Sequence, residues 1–339
     1  MAHRSLKRLS ALFVTSLLVT MLLVACGPSE ASSTNDGGKK VIAFVPKIIN
    51  ISYFNAMKAG GEAAAKDLGV TFEYQGPTTA DANEQVKIIK QLIAKHVDAI
   101  AVAPDDPAVV GPALKEAEAQ GIKVFTTDTD APNSVRSVFV NQALTSEIGN
   151  ATMDTLAKAM GEEGEWAIVS CSPAAQNLNE WIKIEQARAT EKYPKLKFVT
   201  TVYSGEDIAK AVSDTKDLIT SHPNLKGIIG QCTTSAPGVA KAITDMHKNG
   251  SVFATGIGLP SDMKPYIENG ASKGFVLWDP SKLGYLTVWA GLQLVNGKNF
   301  SEKNEVSNVG TVTYDAAQKM LVLGPPLVFD KDNINKYNF

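Results

Sequence analysis

From Val41 onward the chain repeats one pattern of apolar and polar positions. Short apolar runs ending at Pro, Gly or Asp alternate with longer segments whose apolar residues recur at helical spacing. "VIAFVP" predicts a buried parallel strand, and "YFNAMKAGGEAAAKDLG" predicts a helix stopped at Gly69. "VTFEYQG", "DAIAVAP" and "KVFTTDTD" predict further strands, with helices over "DANEQVKIIKQLIAKHV" and "AVVGPALKEAEAQG" between them, and "VRSVFVNQ" predicts a fifth strand. The pattern restarts at "EWAIVSCS". Strands over "FVTTVYSG", "KGIIGQCT", "VFATGIG" and "GFVLWDP" follow, with helices between them. Two consecutive alternating sets predict an α/β protein of two doubly wound parallel-sheet domains, each sheet covered by helices on both faces. Ligands of such folds bind beyond the carboxyl ends of the strands, so two facing domains would share one cleft. The end departs from the pattern: "SKLGYLTVWAGLQLVNGK" predicts a helix, but "SNVGTVTY" and "MLVLGPPLVF" are strand-like with nothing helical between them.

Ahead of this body the chain changes character. Residues 1–25 carry Arg4, Lys7 and Arg8 with no acid, then a mostly apolar run from Leu9 to Ala25, diluted by four hydroxyl residues. That is the layout of an export signal rather than a membrane span. The run ends at Cys26, and "GPSEASSTNDGGKK" then offers almost nothing to pack, as expected of a flexible tether over 26–40.

The 339 residues are 44% apolar and 20% charged, enough chain for two domains of common size. Without the first 25 residues the balance is 30 basic against 35 acidic side chains, which argues against a nucleic-acid partner. Nothing assembles into a catalytic constellation. The four histidines (His3, His96, His222, His247) are far apart, and no H-E-x-x-H, C-x-x-C or G-x-S-x-G occurs. "GLQLVNGK" has five residues between its glycines and no Ser or Thr after Lys298, and "GIGLP" lacks a third glycine, so neither makes a nucleotide loop. No cofactor and no metal is expected. Cys171 and Cys232 end two strands of the second half. An exported chain permits a disulfide between them, but two small buried residues are the favoured reading.

The polar residues that stand out follow strands. In the first half they are Lys47, Asp105, Asp106, Asp128 and Asp130. In the second half they are Gln176, Asn177 and Asn179, then Thr233, Thr234 and Ser235, then Asp279. Tyr53, Phe54, Trp181 and Trp278 accompany them. Carboxylates and amides fork hydrogen bonds to vicinal hydroxyls, and aromatic faces stack on the C–H face of a sugar ring. A single Asp in such a place serves equally well as a helix N-cap, and Tyr53 and Phe54 equally well as core. The combination points to a small polyol or sugar.

Two resemblances add to this reading. "LVACG", with Cys26, resembles the lipobox of bacterial lipoproteins. It implies a diacylglyceryl thioether on Cys26, cleavage just before it, and anchoring to the outer face of the cytoplasmic membrane or in the periplasm. The body from Val41 resembles the type I periplasmic sugar-binding proteins of ABC importers, in the branch with rhamnose-binding and autoinducer-2-binding members. "FVPKIINISYF", "YQGPTTAD", "TTDTD", "NLNEWIK", "GIGLPSDM", "GFVLWDP" and "VFDKDNINKYNF" carry that resemblance. It implies ligand contacts from Lys47, Asp128 and Pro237. The Asp-Gln pair of the autoinducer-2 proteins falls on Asn177 and Leu178, and an alanine of theirs falls on Val239. Leu178 cannot hydrogen-bond a hydroxyl, so rhamnose or a related deoxy- or methyl-sugar is expected first and autoinducer-2 second. The resemblance further implies a monomer that closes over its ligand and docks on a membrane permease. Its domains would be 41–139 plus 281–313 and 140–280 plus 314–339. Hinges are expected at Val140–Gln142, at Trp278–Pro280 and near Tyr314–Leu323. A receptor presenting its closed form to a sensor kinase is a second possibility, and an envelope enzyme a third.

Overall fold

A computed structural model describes residues 38–337 and 339. The expected signal segment, Cys26 and most of the expected tether lie outside the described residues. Residues 39–339 form one compact unit. No helix of the described residues is long and apolar enough to cross a membrane.

The first lobe begins with β1 (Val41–Val45), α1 (Ser52–Leu68), β2 (Thr71–Tyr74), α2 (Ala82–Ala94), β3 (Ala99–Val102), α3 (Pro107–Ala119), β4 (Lys123–Thr127) and β5 (Phe139–Asn141). The second lobe comprises α4 (Thr145–Met160), β6 (Gly164–Ser170), α5 (Gln176–Lys192), β7 (Leu196–Tyr203), α6 (Ile208–Ser221), β8 (Leu225–Gly230), α7 (Ser235–Asp245), β9 (Phe253–Gly256), α8 (Pro260–Glu268) and β10 (Phe275–Leu277). Then come α9 (Pro280–Val295), β11 (Lys303–Val306), β12 (Gly310–Asp315), β13 (Met320–Val322) and β14 (Leu327–Phe329).

The first sheet has the order β11-β12-β13-β5-β4-β3-β1-β2, and the second β7-β6-β8-β9. β10 and β14 pair antiparallel, and single bridges from Ala254 to Ser272 and from Ile257 to Val276 carry β10 alongside β9. All pairings among β1 to β5 and among β6 to β9 are parallel, as expected for strands buried on both faces. β1 and β3 are apolar almost throughout and nearly fully buried. The helices start where the sequence supplies an acceptor. Asp81, Asp106, Asp207 and Asp279 each take a backbone N–H of the first turn of α2, α3, α6 and α9. α1 and α9 pack tightly enough that a Cβ at Gly60 would run into the Ser281 carbonyl, and one at Gly284 into the Met57 carbonyl.

The chain leaves the first sheet after β5, returns after β10 and leaves again between β13 and β14. The third crossing therefore lies at Leu323–Pro326. "MLVLGPPLVF" is split there because Pro325 and Pro326 have no N–H to give a ladder. Residues 314–322, expected in the second domain, belong to the first sheet: β13 pairs parallel with β5, Leu321 opposite Val140. The expected fifth strand also shrinks to Phe139–Asn141.

Candidate functional site

The carboxyl ends of the two sets of parallel strands face one another across a small cavity of about 40 Å³. Each lobe contributes side chains from the loops and first helical turns that follow its strands. The first lobe brings Lys47 after β1, Tyr53 and Phe54 from the opening turn of α1, and Asp128 after β4. The second brings Asn177, Leu178 and Trp181 from the opening turns of α5, then Glu206 after β7, Gln231 to Thr233 after β8, and Trp278 after β10.

The lobes are joined through these side chains. Lys47, only 4% exposed, donates its ammonium to Asn177 Oδ1 at 3.1 Å and lies 3.8 Å from Asp128 Oδ2. The Tyr53 hydroxyl donates to Asp128 Oδ1 at 2.7 Å and accepts from Trp278 Nε1 at 2.9 Å. Thr129 Oγ1 donates to Asp128 Oδ2 at 3.1 Å. Burial, then the neighbouring Asp128 carboxylate, pushes the Tyr53 phenol well above its usual range, so it stays a hydroxyl. Asp128 sits in the left-handed region at φ 65°, a conformation Asp tolerates better than most side chains, and its N–H is held by the Val140 carbonyl at 3.2 Å. The aromatic rings form an arc: Trp181 meets Trp278 edge-on at 5.9 Å, Trp278 meets Tyr53 at 6.0 Å, and Tyr53 meets Phe54 at 5.1 Å.

Behind this layer Gln85 braces two strand ends. Its Nε2 donates to the Pro46 and Ala103 carbonyls and its Oε1 accepts from the Asp105 N–H. A buried amide satisfied on both ends fixes the backbone that carries Lys47 and Asp105. Burial raises the Asp105 carboxyl, with Lys47 pulling the other way. Burial also pushes Glu206 up to about 7, again opposed by Lys47, and Thr234 Oγ1 donates to Glu206 Oε2 at 2.8 Å. Glu206 keeps part of its surface in solvent, and its carboxylate reaches inward among the cleft groups.

Of the residues singled out in the sequence, Lys47, Tyr53, Phe54, Asp128, Asn177, Trp181, Thr233 and Trp278 line this cavity. Asp105 is buried near Lys47 without lining it. Pro237 is buried within α7 rather than in the cavity wall. Asp279 accepts from the Ser281 and Lys282 N–H groups, so its carboxylate caps α9 instead of facing the cavity. Glu206, Gln231, Ile51 and Ile257 line the cavity and were not singled out. Glu206 follows a strand, so the rule that found Asp128 would have found it. Cys171 and Cys232, favoured above as two separate small residues, are joined in a disulfide with Cα atoms 6.2 Å apart. They follow the ends of the neighbouring parallel strands β6 and β8, which brings them within reach. Among the described residues, the one His, Cys or acid group close enough to hold a metal is Cys171, Glu206 and Cys232. With both sulfurs in the disulfide it offers no thiolate.

Two α/β lobes crossed three times by the chain and closing on a polar, aromatic-walled cavity define a binding protein. The chain belongs to the periplasmic binding protein family, whose domain model matches residues 42–299. Its fold is the type I form of that family, and it is a binding protein rather than an enzyme. The ribose import binding protein of Bacillus subtilis is 24% identical over 294 residues, covering 85% of this chain and 94% of that protein. A solute-binding protein of an ABC transporter from Clostridium phytofermentas, solved with bound L-rhamnose, superposes with a TM-score of 0.84. It is 30% identical and covers 88% of this chain and 98% of that one. A Clostridium saccharobutylicum protein solved in complex with AI-2 superposes at 0.83 with 25% identity, covering 88% of this chain and all of that one.

Proposed function

We propose that this chain is the extracytoplasmic solute-binding protein of an ABC importer. It holds one small sugar, L-rhamnose or a related deoxy- or methyl-sugar, between its lobes and delivers it to a membrane permease. The observation that carries the reading is the group of Lys47, Asp128, Tyr53 and Asn177. These are donors and acceptors from both lobes, brought together at the carboxyl ends of the strands beside an aromatic arc. Ligand hydroxyls would replace the direct Lys47–Asn177 contact, so binding and closure would be one event. The relatives named above for ribose and L-rhamnose support a sugar. Lipidation at Cys26 would tether the body to the membrane as a monomer.

AI-2 is the second reading, supported by the AI-2-bound neighbour. Leu178 counts against it, because a buried ligand hydroxyl facing an alkyl group loses a hydrogen bond at about 1–3 kcal/mol. The test is a thermal-shift titration of the purified protein with L-rhamnose, D-ribose and AI-2 side by side. A ligand at 100 times its dissociation constant adds about 2.7 kcal/mol to stability, several degrees in melting temperature. A shift with L-rhamnose and none with AI-2 is expected. A shift with AI-2 alone would overturn the choice of ligand, and no shift with any would overturn the sugar assignment.

A further inference from the structure

The charges of the cleft do not balance. Among the described residues Lys47 is the one basic side chain lining the cavity. Around it stand three carboxyl groups from three different loops: Asp105 after β3, Asp128 after β4 and Glu206 after β7. Asp128 is committed, receiving Tyr53 and Thr129 and lying closest to Lys47. Glu206 is not. Thr234 is its one hydrogen-bond donor among the described residues, it makes no ion pair there, and its second oxygen has no hydrogen-bond partner among them. The Cys171–Cys232 disulfide lies against it.

An anion placed in such a site, with no cation of its own, takes a proton rather than remain charged. A neutral carboxyl offers one O–H donor and a carbonyl acceptor, both of which a polyhydroxyl ligand can meet, while the excess of carboxyl groups around Lys47 disfavours an anionic ligand. We infer that Glu206 is a ligand-binding residue of this cleft and acts as a neutral carboxylic acid, so that closing on a sugar takes up a proton there. This rests on the sugar reading above and adds to it a ligand without negative charge. The groups facing Glu206 act in both directions, and burial outweighs those that lower it. Burial raises it to about 7 from 4.5, Lys47 and Thr234 pull it down, and Asp105 and Asp128 push it up. Tyr53, across the cavity, stays neutral throughout.

For an acid whose value is raised on closure, the favourable contribution is complete below the ordinary solvated value of 4.5 and is lost as pH rises through about 7. Isothermal titration calorimetry of L-rhamnose into the intact protein, repeated in two buffers of different ionisation heat, counts the protons directly. Uptake of nearly one proton at pH 6 and about half at pH 7 is expected, falling to none by pH 8.5. Affinity should fall about tenfold per pH unit near pH 6 and level off above pH 7. Glu206→Gln should abolish the uptake and flatten the profile, a change that a purely structural role would not produce. Uptake that persists in Glu206→Gln, or that disappears in Asp105→Asn instead, would overturn the assignment. If neither L-rhamnose nor D-ribose gives heat, the sugar reading fails by itself. Glu206 is then judged by carbon-13 carboxyl NMR of the unliganded protein, where a titration displaced upward from 4.5 by molecules closed as in this structure upholds the neutral acid and a titration at 4.5 overturns it.

Discussion

Glu185 provides the sharpest test of the energetics. It lies on the inward face of α5, one turn beyond Trp181, and is fully buried. Its one polar partner among the described residues is Gln231, whose Nε2 donates to Glu185 Oε1 at 2.8 Å, while Oε2 has no partner. No ammonium or guanidinium among the described residues compensates it, so burial pushes the carboxyl up to about 8, moderated only by the Gln231 hydrogen bond. Unfolded, the same group titrates near 4.5. The raised value means no penalty below pH 4.5, a penalty that grows as pH rises from there, and a constant one above about 8. At pH 7 the gap is about 2.5 units at 1.36 kcal/mol each, or about 3 kcal/mol against the folded state. Glu185→Gln keeps the carbonyl that Gln231 bonds and removes the ionisable group. Less a small cost for the added unpartnered N–H₂, the variant should be about 2–3 kcal/mol more stable at pH 7. That is a melting temperature higher by about 5 °C for a chain of this length. Near pH 4.5 the advantage should vanish. Differential scanning calorimetry of both proteins across pH 4.5–8 makes the comparison. An equal gain at both ends of the range, or a loss at pH 7, would refute the claim that Glu185 is an uncompensated buried acid.

The remaining expectations are quicker to state. Asp128→Asn removes the charge that faces Lys47 and should weaken L-rhamnose binding by about 10- to 100-fold, measured by titration calorimetry; unchanged affinity would remove Asp128 from the site. Asp279→Ala should lower stability by about 1 kcal/mol through loss of the α9 cap while leaving affinity within about twofold, read by thermal melting and calorimetry on one sample. A large loss of affinity would put Asp279 back among ligand contacts. The Cys171–Cys232 bridge spans a sequence separation of 61, so replacing both with Ala should cost about 4 kcal/mol on the chain-entropy account. Urea unfolding of the variant beside the parent would show it, and an unchanged midpoint would contradict it.

Much of the architecture is legible along the chain because its cause is local. Alternating runs such as "VIAFVP" and "YFNAMKAGGEAAAKDLG" state strand and helix by period alone, and Asp81, Asp106 and Asp207 mark helix starts because a cap needs only the N–H groups two or three residues on. The rule that ligands sit beyond strand ends also located Lys47, Asp128, Asn177 and Trp278 in the cavity wall. Other features depend on partners far away in sequence. Whether Asp128 lines the cavity while Asp279 caps a helix turns on where each carboxylate points, and both follow strands in the same way. The pairing of Cys171 with Cys232 required β6 and β8 to be neighbours, and the third crossing was set by β13 pairing with β5, a choice among sheet edges that periodicity does not encode. Glu185 looks like any solvated helix acid until α5 is laid on its sheet. The chain by itself determined the elements, their class and the end of the sheets where chemistry would gather. Only the tertiary structure decided which side chains meet there and in what charge state, because burial and through-space partners exist only once the lobes are folded together.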